Sequence, residues 1–177
     1  MWRVLSFLLL AAAFTEAQTK SDVARWAHEA GHGDARAQFW LGAAYESGRG
    51  IDQNFVEALG WRTKSARQGN ADAQNLLGQM YEEGEGVGRD YALAATWYRS
   101  ACEHGPDYGG AGQGCNSLGL LYLDGRGVEE NRVEAYKYFK LSRSTENLAI
   151  VMRKMTSREI AQAEHETEQW LQANPDR

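Results

Sequence analysis

Several features are missing from this 177-residue chain, and each absence removes a class of function. There is no long basic run, and 19 Lys and Arg stand against 24 Asp and Glu for a formal net charge of −5. Phosphate binding is driven by clustered Lys and Arg, so nucleic acid is not the expected partner. No apolar run reaches the roughly twenty residues that a bilayer-spanning helix needs. The apolar stretch from Val4 to Phe14 is about half that length, and no cysteine follows it to carry a bacterial-type lipid anchor. Ser47, Ser65, Ser100, Ser117, Ser142 and Ser157 all lack the lysine three residues on that penicillin-type acylation uses. Cysteine is scarce, with only Cys102 and Cys115.

The N-terminus carries a positive charge at Met1-Trp2-Arg3, then the short apolar core, then Thr15-Glu16-Ala17 with small residues at −3 and −1. This is the pattern of a secretory signal peptide over residues 1–17, cut before Gln18, with an uncleaved anchor as the lesser alternative. The mature chain is then expected to be exported, periplasmic or secreted, with no stable membrane span. Export places the two cysteines in an oxidising setting.

What the chain does have is a repeat. Ala35 to Ile51 aligns with Ala71 to Val87 at a step of 36 residues, and Ser117-Leu-Gly-Leu-Leu-Tyr-Leu-Asp-Gly-Arg-Gly-Val128 forms a third copy that begins near Gly112. A unit of this length is one helical hairpin that cannot bury its own apolar face, so copies must stack. The first helix of each copy carries Ala37, Leu41, Gly42 and Tyr45, then Ala73, Leu77, Gly78 and Tyr81, then Gly114, Leu118, Gly119 and Tyr122. Glycine inside a helix costs roughly 1 kcal/mol relative to Ala. Its recurrence implies close approach of a neighbouring helix. Gly48, Gly84 and Gly125 stop these helices. Ile51, Val87 and Val128 plug the core, and Asn54, Asp90 and Asn131 cap the second helix. Asn54 with Glu57 and Asn131 with Glu134 have capping-box spacing. The second helices bury Ala58, Trp61 and Ala66, then Ala94, Trp97 and Cys102, then Ala135 and Tyr138.

Two departures from the period are informative. The step from Leu77 to Leu118 is 41, so about five residues are inserted within the glycine-rich stretch His104 to Gly112, which is expected to loop out. Cys102 and Cys115 bracket this insertion, and stacking brings their helix ends together. A disulfide there stabilises by about 3 kcal/mol on the chain-entropy model; two separately packed thiols are the alternative. At the ends, Ser21 to His32 resembles only the second helix of a unit. After Ser144 the repeat fades into helices from about Glu146 to Met155 and from Thr156 onward, the latter carrying Ile160, Ala163, Thr167, Trp170 and Leu171 until Pro175. The expected architecture is an all-α solenoid of about three hairpins over 18–144, with an N-terminal half-repeat and capping helices over 145–177.

The Leu-Gly-x-x-Tyr-x-x-Gly-x-Gly-(Val/Ile) run, followed by an Ala-x-x-Trp helix, resembles the Sel1-like repeat family, relatives of the tetratricopeptide repeats. The resemblance covers roughly Ala24 to Arg143. The Cys102 and Cys115 region is similar to the secreted, cysteine-rich branch of that family, where bridges join neighbouring helices, although this chain has one pair and not one per repeat. The family implies an adaptor that holds another protein or peptide, with no catalytic residue, cofactor or metal. By analogy with tetratricopeptide repeats, inward positions fall at −5, −2, +2 and +5 from the leucine that recurs in each copy. These are Arg36, Phe39, Ala43 and Glu46; Asp72, Asn75, Gln79 and Glu82; and Gln113, Asn116, Leu120 and Leu123. Asn75 and Asn116 suit a peptide backbone, and Leu120 and Leu123 suit an apolar side chain.

The alternative is a secreted or periplasmic hydrolase, β-lactamase-like or zinc-dependent. The first is an activity attached to the cysteine-rich branch, and the missing Ser-x-x-Lys counts against it. For the second, His28-Glu-Ala-Gly-His32 spells the H-E-x-x-H zinc pattern. Gly31 weakens the helix between the two histidines, and His32 aligns with the helix-ending positions Gln68 and His104. The extended zinc motif also wants Gly and His where Ala35 and Gln38 stand. The Gly-x-Gly loops follow no strand and reach no Gly-Lys-(Ser/Thr), so they are helix stops and not phosphate loops. A third class is a structural subunit that stacks on its own copies, with Trp170 and Leu171 near its end.

Overall fold

A computed structural model describes residues 19–103 and 109–175 of the chain. Residues 1–18, which include the expected signal segment, the middle of the insertion, 104–108, and the terminal residues 176–177 lie outside the described residues. All regular structure among them is α-helical: α1 (19–31), α2 (Ala35–Ser47), α3 (Phe55–Arg67), α4 (Ala71–Glu83), α5 (Tyr91–Glu103), α6 (Gly109–Asp124), α7 (Arg132–Leu141), α8 (Thr145–Arg153) and α9 (Ser157–Ala173). The three hairpins α2/α3, α4/α5 and α6/α7 are the three copies of the repeat, as the period predicts. Packing divides the chain into two compact units, one ending at Ser65 and one starting at Ala66.

The caps follow the sequence. The Oδ1 atoms of Asn54, Asp90 and Asn131 accept the backbone N–H groups of the first helical turn at 2.9–3.2 Å. The expected reciprocal bonds at Asn54 and Asn131 do not form, because their backbone N–H groups donate instead to Tyr45 O and Tyr122 O at 2.8 and 2.9 Å, and Glu134 accepts from Lys137 at 2.7 and 2.8 Å. A full capping box closes at Thr156 and Glu159. At its other end α4 stops on Gly84, whose φ of 81° is left-handed and whose N–H donates to Met80 O at 2.8 Å.

In the N-terminal unit, Val23, Ala30, Ala37, Leu41 and Ala44 form the core, with Trp26, Tyr45, Ile51 and Trp61 packed on it. The C-terminal unit has two clusters. One joins Ala94, Ala95, Tyr98, Leu118, Leu121 and Tyr138 between α5, α6 and α7. The other joins Leu123, Ala135, Tyr136 and Phe139 to Val151 of α8 and Ala163 of α9. Of the residues that α9 carries at helical spacing, Ala163 and Thr167 are buried, Ile160 and Trp170 are half-buried, and Leu171 is 42% exposed.

Two repeated contacts hold the hairpins. Within a hairpin, the helix glycine receives the side chain twenty residues on. A Cβ on Gly78 would stand 2.6 Å from the Tyr98 ring, one on Gly119 2.6 Å from Phe139, and one on Gly42 3.0 Å from Arg62 Cγ. The expected close approach is therefore real. Between a second helix and the next first helix, Gln38 Nε2 donates to Ala30 O at 3.2 Å, and Gln74 Nε2 to Ala66 O at 2.9 Å. Cys115 and Cys102 occupy the equivalent positions in the third copy and form a disulfide, with Cα atoms 4.7 Å apart. The covalent bridge thus replaces the hydrogen bond at the one joint that the insertion lengthens. The insertion itself differs from expectation at its end: Gly109 to Gly112 extend α6 by a turn and do not loop out.

Candidate protein-binding groove

The C-terminal unit carries a groove of about 830 Å³ lined from α4 by Asn75, Gln79, Glu82 and Glu83 and from α6 by Gly112, Gln113, Asn116 and Ser117. Tyr98 of α5, Arg89, Tyr91 and Arg126 add to one part, and Ser142 and Ser144 to another. Among the described residues the lining holds no aliphatic side chain, and its two acids balance its two arginines. Most small-molecule pockets are predominantly apolar; this one is polar and formally neutral.

Its amides are set by hydrogen bonds. Asn75 is only 6% exposed, and its Nδ2 donates to Gln113 Oε1 at 3.0 Å. Its Oδ1 is buried and finds no donor among the described residues. An unsatisfied buried acceptor costs about 1–3 kcal/mol, so native proteins hold few of them. Asn147 Nδ2 on α8 donates to Asn116 Oδ1 at 2.7 Å, which leaves the NH2 of Asn116 as its remaining donor group. Gln79 Nε2 donates to Glu83 Oε1 at 2.9 Å.

The charged part is a network. The Tyr98 hydroxyl donates to Glu82 Oε2 at 2.8 Å, and Arg126 Nη1 donates to Glu82 Oε1 at 3.2 Å. Arg126 also pairs with Asp124 at 3.1 Å and lies over the Tyr91 ring, 5.5 Å from its centroid. Burial, then the Glu82 carboxylate, push the Tyr98 hydroxyl far above the usual tyrosine range.

Of the residues expected to face inward, Asn75, Gln79, Glu82, Gln113 and Asn116 share this groove. Asp72 is exposed outside its lining. Leu123 is a correction: it is 8% exposed and belongs to the core with Phe139, and Leu120 packs on the same cluster. Leu123 is therefore not open to a ligand, whereas Leu120 stays half-buried. The +5 position lies four residues after the helix glycine and so shares its face. That face meets the second helix of the hairpin. Glu82 with Tyr98 and Leu123 with Phe139 are therefore equivalent cross-hairpin pairs, and Glu46 with the buried Arg62 is the same pair in the N-terminal unit. Arg36 lines a separate cleft of about 430 Å³ beside the stacked Trp26 and Trp40, whose ring centroids are 6.0 Å apart. Phe39 is half-buried and meets Trp40 edge-on. Arg89, Tyr91, Arg126, Ser142 and Ser144 lie in turns or helix ends and carry no periodic signal.

His28 and His32 have ring centroids 4.5 Å apart, and His32 Nδ1 lies 2.7 Å from His28 O, so that nitrogen is the donor to a carbonyl. Among the described residues no three or more His, Cys, Asp or Glu side chains group as a metal site would. No described helix is long and apolar enough to cross a membrane.

Stacked hairpins with a helix glycine against the partner helix define a helical-repeat protein. The chain belongs to the Sel1 repeat family, whose model matches residues 35–70, 71–106 and 112–143, more than half of its length. It is similar to c5321, a protective antigen of uropathogenic Escherichia coli that displays an SLR fold (34% identity over 68% of this chain and 25% of that one, TM-score 0.64). It is also similar to a Sel1 repeat protein from Oxalobacter formigenes (38% identity over 66% of this chain and 46% of that one, TM-score 0.61). The chain thus spans less than half the length of either. No curated protein matches it. Sel1 repeats typically mediate protein–protein interaction, and proteins built from them are generally non-catalytic adaptors.

Proposed function

We propose that this chain is an exported, non-catalytic adaptor that holds another protein through the polar groove of its C-terminal unit. The observation that carries this reading is the unsatisfied Asn75 carbonyl within a groove that also holds Gln79, Gln113 and Asn116. Export is supported by the N-terminal pattern of residues 1–17 and by the disulfide, a bond that persists in oxidising compartments. Residues 145–177 serve as a cap, because α8 and α9 cover the apolar cluster around Phe139.

The test compares affinity capture from native extract by the wild-type chain and by a Gln79→Arg/Gln113→Arg variant. Both side chains are exposed, so the fold is expected to persist, as circular dichroism would verify. At least tenfold lower recovery of the captured partners is expected. Equal recovery would remove the groove from the proposal.

A further inference from the structure

We infer that His28 and His32, at the C-terminal end of α1, form a two-imidazole site for a divalent transition-metal cation, with Cu²⁺ bound most tightly. The site lies in the N-terminal unit, and its test is independent of the groove. Residues four apart share one face of a helix, and both histidines are exposed to solvent. Their ring centroids stand 4.5 Å apart with 39° between the planes. A metal about 2.0–2.1 Å from an imidazole nitrogen is about 3.2 Å from that ring's centre, so two imidazoles at a right angle about one ion have centres about 4.5 Å apart. The spacing found is that of adjacent ligands. A second feature fixes the chemistry of His32. Its Nδ1 lies 2.7 Å from His28 O and donates to it, so Nε2 keeps its lone pair for a metal. A ligating histidine almost always donates its other ring N–H in this way, which sets its tautomer and orientation. The His28 ring makes no hydrogen bond among the described residues, and its neighbour is the His32 ring.

The donor set narrows the ion. Imidazole suits Zn²⁺, Ni²⁺ and Cu²⁺ and not Mg²⁺ or Ca²⁺, and affinity among these divalent ions peaks at Cu²⁺. Two neighbouring nitrogens occupy two positions of a tetragonal Cu²⁺, and water fills the rest. Glu29 does not turn this pair into a zinc protease. Its side chain lines the cleft with Arg25, Trp26 and Trp40, so it is directed to another side of α1 and supplies no base to water on the ion. The H-E-x-x-H spelling thus holds a chelating pair without the rest of that machinery.

The experiment titrates the untagged, mature, oxidised chain with CuCl2 at neutral pH, by calorimetry and by electron paramagnetic resonance. One site is expected, with hyperfine coupling from two imidazole nitrogens. His28→Asn and His32→Asn are each expected to weaken binding at least tenfold, because one ligand of a chelate is lost. His104→Asn/His165→Asn, which removes the other two histidines, is expected to bind within about twofold of wild type. Ni²⁺ and Zn²⁺ are expected to bind at the same site more weakly than Cu²⁺. Unchanged affinity in His28→Asn/His32→Asn, a marked loss in His104→Asn/His165→Asn, or a spectrum without imidazole coupling would overturn the site. A second measurement needs no variant. An ion that bridges residues 28 and 32 closes the end of α1 across Gly31, so saturating Zn²⁺ is expected to slow amide exchange over 29–33, read by mass spectrometry on the wild-type chain. Exchange there that ignores the metal would overturn the site equally.

Discussion

The residue scale is governed by what each helix glycine touches. Gly78 and Gly119 lie against the Tyr98 and Phe139 rings, so Gly78→Ala or Gly119→Ala is expected to destabilise by about 1–3 kcal/mol through overpacking, despite alanine's better helix propensity. Gly60 is also helical, but a Cβ there meets nothing within 4 Å, so Gly60→Ala is expected to stabilise by about 0.5–1 kcal/mol. Urea denaturation of the three variants checks both signs. Tyr98 adds a pH dependence. Its folded-state pKa is raised, so its contribution is complete below the unfolded tyrosine value of about 10 and is lost as pH rises above it. The unfolded chain releases that proton first. Tyr98→Phe is expected to flatten the loss of stability between about pH 9 and 11, measured by denaturation across that range. The third copy shows the apolar version of the pair, Phe139 with Leu123, so Tyr98→Phe/Glu82→Leu is expected to fold.

At the scale of elements, the joint between consecutive hairpins takes two chemical forms at one place. Two joints use a glutamine to reach the last-turn carbonyl of the preceding helix, and the third uses Cys102–Cys115. A hydrogen bond contributes about 1 kcal/mol net, whereas a disulfide closing a loop of this size contributes about 3 kcal/mol. The bond that resists a longer connection stands where the connection is longer. Cys102→Ala/Cys115→Ala is therefore expected to lose about 2–4 kcal/mol under oxidising conditions. Cys102→Ala/Cys115→Gln with residues 104–108 deleted restores the spacing of the other joints and is expected to recover part of that loss. A reversible urea titration of each variant measures it, and no recovery would mean that the glutamine bond is incidental. The capping box of α9 has its own pH signature. Glu159 is held below the usual carboxylate range, first by the Thr156 backbone N–H and then by the Thr156 hydroxyl. Its help to the helix is complete above the ordinary glutamate value and is lost as pH falls through its lowered one. Amide exchange in the first turn of α9 is expected to quicken on acidification, and Glu159→Ala is expected to abolish that response.

For the whole molecule, the fold was legible because one 36-residue pattern recurs, and each recurrence repeats the same glycine contact and the same helix cap. The groove was legible in part. Asn75, Gln79, Gln113 and Asn116 follow from the likeness to tetratricopeptide repeats, whose −5, −2, +2 and +5 positions fall on one side of a helix at about 100° per residue. The +5 position lies at the glycine edge of that side, so Leu123 is drawn into the core while Glu46 and Glu82 pair across the hairpin, and only the partner side chains Phe139, Arg62 and Tyr98 reveal that. Arg89, Arg126 and Ser144 sit in turns, where no period operates. The C-terminal elements show the same limit: their helical pattern is visible, but the surface they cover is not. Val151 and Ala163 are fully buried against the Phe139 cluster, with Leu148, Met152 and Met155 beside them. Truncation after Ser144 uncovers Leu123 and Phe139, side chains whose burial stabilises by about 1.5–3 kcal/mol each. The loss is expected to be on the order of 5 kcal/mol, and an apolar end left bare drives association. Light scattering is therefore expected to show the truncated chain as oligomers and a full-length chain of lower mass per particle. A truncated chain that stays monomeric with unchanged urea stability would show that α8 and α9 are appendages and not the cap of this repeat array.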